Sequence, residues 1–200
     1  MAQARVLTDK ELKLLLLYIA TRKYAARDRA IVLMGFYGGM RIGEIVSTKI
    51  LDVLAMDGTI KQEIFLTASQ TKGKRGRTVT LSEKLRKELQ IYLQHRFNTK
   101  QLATVTNTDD MSKALFATQK KKNTGFTPNT GAYHLHMLYS AAGLDGVSSH
   151  SGRRSFATTL SAKGTALRTL MELMGHKQAQ TTMRYCDVTA DMKKAAVELL

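Results

Sequence analysis

The sequence predicts a mostly α domain with a small antiparallel β-sheet, an α+β fold. Apolar residues recur at three- and four-residue spacings through most of the chain, the mark of helices that bury one face. Residues 59–81 break that rhythm with short apolar runs on either side of a glycine-punctuated basic tip, the pattern of a hairpin. A single proline and no Trp among 200 residues fit a helix-rich chain with few rigid turns.

The first helix starts at Thr8, a good N-cap, with Glu11 three residues on as in a capping box, and Leu12, Leu15, Leu16 and Ile19 form its apolar face. A second runs from near Ala25 through Ile31, Val32 and Phe36 into Gly38-Gly39, which permits a tight backbone turn. A third covers residues 41–47. Ile60, Ile64, Phe65 and Leu66, then Val79 and Leu81, mark short strands around the tip Thr71-Lys72-Gly73-Lys74-Arg75-Gly76-Arg77. Ser82 and Glu83 open a helix carrying Leu85, Leu89 and Leu93. Residues 98–113 are polar and weakly periodic and read as a loop. A second basic run, Lys120-Lys121-Lys122, precedes Thr127-Pro128, an N-cap followed by proline at the first helical position. That helix runs to Ala142 and ends at Gly143. Helices over residues 150–162, 165–174 and 178–185 follow, with Gly164 and Gly175 placed as helix C-terminal residues. A last one over residues 189–200 belongs to a C-terminal tail that starts at 186. No internal repeat divides the chain, and residues 1–200 read as a single domain.

Two hundred residues bury a real core without disulfide staples. A hydrophobic content of 44% excludes a wholly disordered chain. Thirty-one Lys and Arg against 16 Asp and Glu leave +15, a self-repulsion that a polyanion relieves. Nucleic acid is the leading partner and an anionic membrane surface the second. No apolar run reaches the roughly 18–20 residues of a membrane span, and the start lacks the apolar region of a signal peptide. Cys186, the one cysteine, makes no internal disulfide, and no zinc-ligand spacing occurs. The expectation is a cytoplasmic protein of a reducing compartment.

Four short motifs stand in order: Gly39-Met40-Arg41-Ile42-Gly43-Glu44, His150-Ser151-Gly152-Arg153-Arg154, Leu173-Met174-Gly175-His176, and Thr181-Thr182-Met183-Arg184-Tyr185. Each alone has a plain reading. Arg41 suits a solvated cation after a turn, His150 a helix-start residue, His176 a residue after a helix-ending glycine, and Tyr185 a core or surface aromatic. Together with the lysine-bearing hairpin they resemble the tyrosine recombinase (phage integrase) family. That family carries an Arg, a hairpin Lys, a His-x-x-Arg, a second His or Trp, and a nucleophilic Tyr, in this order. The resemblance spans about residues 8–185 and implies that family's catalytic-domain fold, double-stranded DNA as partner, and no metal or cofactor.

The chemistry of the residues agrees with those roles. A DNA phosphodiester is anionic, and more charge gathers on its non-bridging oxygens as a nucleophile attacks. Preorganised cations stabilise that transition state, and Arg41 and Arg153 supply planar, permanently charged, bidentate groups. His150 and His176 suit hydrogen bonds to the same oxygens or proton transfer, since imidazole titrates near neutrality. Tyr185 is the implied nucleophile; a free phenol of pKa about 10 is only about 0.1% ionised at pH 7 and needs help. The resemblance implies a 3′-phosphotyrosine and a departing 5′ hydroxyl. That alkoxide needs a general acid, for which Lys72 matches the family's hairpin lysine and Lys74 is the nearest competitor. Conserving the phosphoester makes ATP unnecessary. Glu44 lies three residues after Arg41 and can reach the same helix face; the resemblance implies that it supports the cations, a local surface ion pair being the plain alternative. Lys74, Arg75, Arg77, Lys120, Lys121, Lys122 and Arg154 are candidates for DNA backbone contact, which gives affinity and salt dependence.

His134 and His136, two apart, point to different helix faces, and His95 is isolated, so all three read as structural. Cys186 beside Tyr185 has no evident base and reads as a buried small residue. Gly152 stands where the family usually has a larger apolar residue, implying looser packing near Arg153. Most members carry an additional N-terminal helical domain; here only about seven residues precede the first helix. That implies an excised catalytic domain or a naturally minimal recombinase. The tail's Met192, Ala195, Ala196 and Leu199 suit a short helix that packs in cis or docks on a neighbouring copy. The expectation is a monomer in solution and a homo-oligomer, a tetramer, on DNA, nucleoid-associated or phage-encoded. Alternatives are a type IB topoisomerase and a non-enzymatic DNA-binding regulator.

Overall fold

A computed structural model describes residues 4–71, 73, 75–97, 109–118, 124–188 and 190–198. The chain opens with α1 (Asp9–Ala20), whose capping box is closed by Thr8 N–H donating to the Glu11 carboxylate at 2.8 Å and Glu11 N–H to Thr8 Oγ1 at 3.2 Å. Leu12, Leu15 and Ile19 are buried from this helix, while Leu16 is half-buried against the core.

Helix α2 (Ala25–Gly38) is the axis of the fold. Ile31 through Phe36 are all buried, so it is apolar on every side, as a helix surrounded by others must be. It packs against α1, against α5 (Glu83–Arg96) and against α7 (Ser151–Ala162). It ends at Gly39 in the left-handed region, φ 59°, where a Cβ would meet the Phe156 ring at 2.6 Å. That turn delivers Arg41 to the start of α3 (Ile42–Ser47). A short α4 (Ile50–Val53) follows.

Strands β1 (Glu63–Leu66) and β2 (Arg77–Thr80) pair antiparallel, with Ile64 opposite Val79 and Leu66 opposite Arg77. They form the one sheet among the described residues. Ile64, Leu66 and Val79 face the core and Phe65 faces solvent, the alternation of a one-sided hairpin. In α5 Ser82 Oγ caps the first turn, and Leu85, Leu89, Tyr92 and Leu93 are buried. Helix α6 (Pro128–Ala141) begins with Thr127 as N-cap and proline inside the first turn, as expected. It packs on α3.

The C-terminal third comprises α7, α8 (Leu167–Met174), α9 (Ala179–Met183) and α10 (Ala190–Val197). These helices start or stop a few residues inside the ranges expected from sequence, within ordinary end fraying. The tail helix forms, yet Ala195, Ala196 and Val197 lie exposed and Met192 is half-buried. Leu199 lies outside the described residues.

Gly152 corrects one expectation. It does not loosen the packing at Arg153 but tightens it. A Cβ there would lie 3.1 Å from Phe36 and 3.2–3.3 Å from the backbone of Gly35, so two glycines let α7 and α2 approach closely. Among the described residues no helix is long and apolar enough to cross a membrane.

Candidate active site

Glu44 is the hub of the site. Its side chain, only 1% exposed, lies on the first turn of α3. The carboxylate accepts from Arg41 N–H at 2.8 Å and Arg41 Nη1 at 3.0 Å, and from Arg77 Nη2 at 2.7 Å and Nε at 3.3 Å. Arg153 Nη1 stands 3.9 Å away. Burial alone would raise this carboxyl's pKa, but the hydrogen bond and charge of Arg77, the Arg41 backbone and Arg153 bring it below the ordinary value. Glu44 is therefore an anion that gathers guanidinium groups from α3, β2 and α7.

Arg153 is wholly buried on the first turn of α7. Nη1 donates to Gly39 O at 2.5 Å, and Nη2 donates to Met174 O at 2.5 Å and to His176 Nε2 at 2.8 Å. Its guanidinium thus ties the turn after α2 to the C-terminus of α8. Its Nε–H is buried and has no partner among the described residues, a donor left over in a site where buried donors are normally satisfied. Burial, then the charge of Arg41, pushes its pKa down, while Glu44 opposes that shift. It stays charged, because a guanidinium does not lose its proton in proteins.

His176 follows Gly175, which ends α8 in the left-handed region at φ 63°. Its Nδ1 lies 3.0 Å from Thr182 Oγ1 on α9. Burial first, and then the charge of Arg153, push its pKa down to about 4. His176 is accordingly neutral at pH 7, not the near-neutral titrator that its residue type suggests.

Tyr185 sits just beyond α9. Its ring centroid is 5.5 Å from Arg153 Cζ and 5.3 Å from the His176 ring. Its C-terminal flank is tied to α7. Thr158 Oγ1 donates to Tyr185 O at 3.1 Å and accepts from Asp187 N–H at 3.2 Å, and the Arg154 guanidinium pairs with the Asp187 carboxylate. Cys186 is half-buried, and burial pushes its thiol pKa up. That makes it a poor nucleophile at neutral pH.

The structure thus brings Arg41, Glu44, Arg153, His176 and Tyr185 together from distant segments. His150 differs: it is exposed at the N-cap of α7. Arg75 is exposed. Arg154 and Arg77 are not solvated cations. Arg154 is buried and engaged with Asp187, and the Arg77 side chain is only 9% exposed and spans from Glu44 to Leu173 O. Lys72, Lys74 and Lys120–Lys122 lie outside the described residues. His134 accepts the structural reading, with Nε2 2.9 Å from the buried Asp28, which also pairs with Arg27.

Sequence reasoning missed the places of Arg77 and Thr182. The signal for Arg77 was present. In a strand, residues two apart share a face, and Arg77 precedes the inward-facing Val79 by two. Gly175 lets it in: a Cβ there would lie 2.5 Å from Arg77 Cδ. Beside this cluster opens a cleft of about 1130 Å³, lined among others by Arg41, Arg75, Arg77, Arg168, His176 and Lys177. Glu44, Glu63 and Glu172 line it too, so its described wall is mixed in sign with cations in excess.

Comparison with known proteins agrees with this geometry. The chain is 33% identical over 192 residues to tyrosine recombinase XerA of Pyrococcus furiosus, covering 96% of this chain and 60% of that protein. It is 34% identical over 164 residues to tyrosine recombinase XerC of Myxococcus xanthus, covering 82% of this chain and 51% of that one. A crystal structure of XerA recombinase superimposes with a TM-score of 0.76 at 25% identity, over 100% of this chain and 66% of that chain. XerH site-specific recombinase, bound to a palindromic difH substrate in a post-cleavage complex, shares the fold at TM-score 0.71 and 23% identity, over 98% of this chain and 53% of that one. The phage integrase family model matches residues 5–192, a stretch that contains every member of the cluster from Arg41 to Tyr185. On that match and that cluster, the chain belongs to the phage integrase family.

Proposed function

We propose that residues 1–200 are the catalytic unit of a site-specific DNA recombinase, an enzyme that cleaves and rejoins double-stranded DNA through a 3′-phosphotyrosine without metal or ATP. The observation that carries this reading is the seat of Tyr185. Its ring lies against Arg153, whose guanidinium shares the Glu44 hub with Arg41 and Arg77. Tyr185 Oη gives up its proton to solvent and attacks phosphorus, and the bond from phosphorus to the 5′ oxygen breaks. Arg41 and Arg153 meet the charge that collects on the non-bridging oxygens. The unpartnered Nε–H of Arg153 is a donor available to it. His150, exposed at the start of α7, adds a hydrogen bond from the solvent side. Lys72 protonates the departing 5′ oxygen, with Lys74 as its competitor. Rejoining runs the same steps backwards, with a hydroxyl from another strand.

DNA backbone contacts come from Arg75 and from Lys74 and Lys120–Lys122. The reading also includes assembly of a homo-tetramer on DNA and action in the cytoplasm, at a nucleoid or on phage DNA.

The test uses nicked DNA that traps the cleaved state. A protein–DNA adduct stable to denaturant is expected, and Tyr185→Phe abolishes it while DNA binding persists. An adduct that survives that substitution overturns the nucleophile. Relaxation of supercoils without recombinant products marks a type IB topoisomerase. DNA binding without any adduct marks a regulator.

A further inference from the structure

Thr182 carries none of the cluster's charge, yet it is wholly buried and touches two of its members, His176 and Tyr185. Its Oγ1 lies 3.0 Å from His176 Nδ1, and its carbonyl accepts from Tyr185 N–H at 2.9 Å. The other imidazole nitrogen, Nε2, lies 2.8 Å from Arg153 Nη2. A guanidinium nitrogen only donates, so Nε2 is the acceptor and carries no proton. The imidazole proton is therefore on Nδ1, and Thr182 Oγ1 accepts it. We propose that Thr182 is a positioning residue, which fixes His176 in the Nδ1–H tautomer so that Nε2 holds the Arg153 guanidinium in place.

The relay runs Thr182 Oγ1, His176 Nδ1–H, His176 Nε2, Arg153 Nη2. It leaves the Arg153 Nε–H as the unspent donor. Because the Thr182 carbonyl also anchors the Tyr185 backbone, one residue registers both the nucleophile and the arginine beneath it. In this arrangement His176 is an acceptor toward Arg153, not a donor, and its partner fixes its tautomer as second-layer groups do for other histidines. For its catalytic consequence the inference rests on the phosphotyrosine reading; the tautomer itself does not.

The experiment is a long-range ¹H–¹⁵N NMR measurement of the His176 ring in the full DNA-free chain, between pH 6 and 8. It is paired with single-turnover cleavage of nicked DNA. Wild type is expected to show a protonated Nδ1 and an unprotonated Nε2. Thr182→Val, which keeps the shape and removes the acceptor, shifts the ring toward Nε2–H and slows cleavage about tenfold, the worth of one ordinary hydrogen bond. DNA binding stays unchanged. Thr182→Ser restores both the tautomer and the rate. An Nε2–H ring in wild type overturns the inference, as does Thr182→Val that keeps the Nδ1–H tautomer and the full rate. If Thr182→Val fails to fold, Thr182→Ser decides alone, since loss of the tautomer in that variant is fatal. Wild type that forms no adduct sinks the phosphotyrosine reading and leaves the ring measurement standing.

Discussion

Glu44→Gln removes the one carboxylate that gathers three guanidinium groups. The side chain is 1% exposed and accepts four hydrogen bonds, two from Arg41 and two from Arg77, with Arg153 3.9 Å away. Removing one partner of so buried an ion cluster leaves uncompensated charge and costs about 3–5 kcal/mol. At about 2–4 °C per kcal/mol for a chain of this size, Tm falls by about 6–20 °C. The pH dependence has a definite sign. The folded pKa of Glu44 lies below its ordinary value of 4.5, so the ionised carboxylate's contribution is complete above that value. It is lost as pH falls through the lowered folded value. The assay is urea unfolding of both proteins from pH 7 to pH 3. The stability gap is expected to hold flat down to about 4.5 and then to close. A gap under about 1 kcal/mol at pH 7, the worth of an exposed pair, would refute the reasoning. So would a gap that stays constant to pH 3.

The hairpin arginines should separate cleanly. Arg77→Ala strips Glu44 of two donors and frees Leu173 O, so it lowers both stability and cleavage rate; unchanged thermal unfolding would remove Arg77 from the cluster. Arg75→Ala, at an exposed position, leaves stability intact and flattens the salt dependence of DNA binding by about one counterion in a log–log plot. An unchanged slope rules out the backbone contact. Gly152→Leu should cost about 1–3 kcal/mol by overpacking α7 against α2, visible as a lower urea midpoint. A stabilised variant would show that the close approach of Gly152 to Gly35 and Phe36 is not a constraint.

Most elements were legible because they bury one face and cap themselves with local chemistry. Thr8 with Glu11, Ser82, and Thr127 with Pro128 announce helix starts that the structure keeps. The ordered motifs named Arg41, Glu44, Arg153, His176 and Tyr185, which the structure brings together, and also His150, which lies exposed; they did not single out Thr182 or set Arg77 against Glu44. What the sequence withheld is environment. Arg154 and Arg77 have the composition of surface cations, and only the packing of α7 and β2 turns them inward. His176 looks like a group that titrates near neutrality until burial and Arg153 are placed beside it. Gly152 reads as a missing side chain when its true partner, Gly35, is more than a hundred residues away in the chain. Leu115 and Phe116 are fully buried, yet two adjacent apolar residues after a polar stretch show no period to read.

The bonds that hold the C-terminal side of Tyr185 have a further meaning. Thr158 and Arg154 clamp the tyrosine's own carbonyl and the residue two places on to the same helix that bears Arg153. Phenol and guanidinium are thus indexed to one rigid ruler. A tilt or slide of that ruler would carry both together, but away from Gly39 O, Met174 O and the Glu44 carboxylate that Arg153 also faces, so the docking of this helix sets the whole cluster.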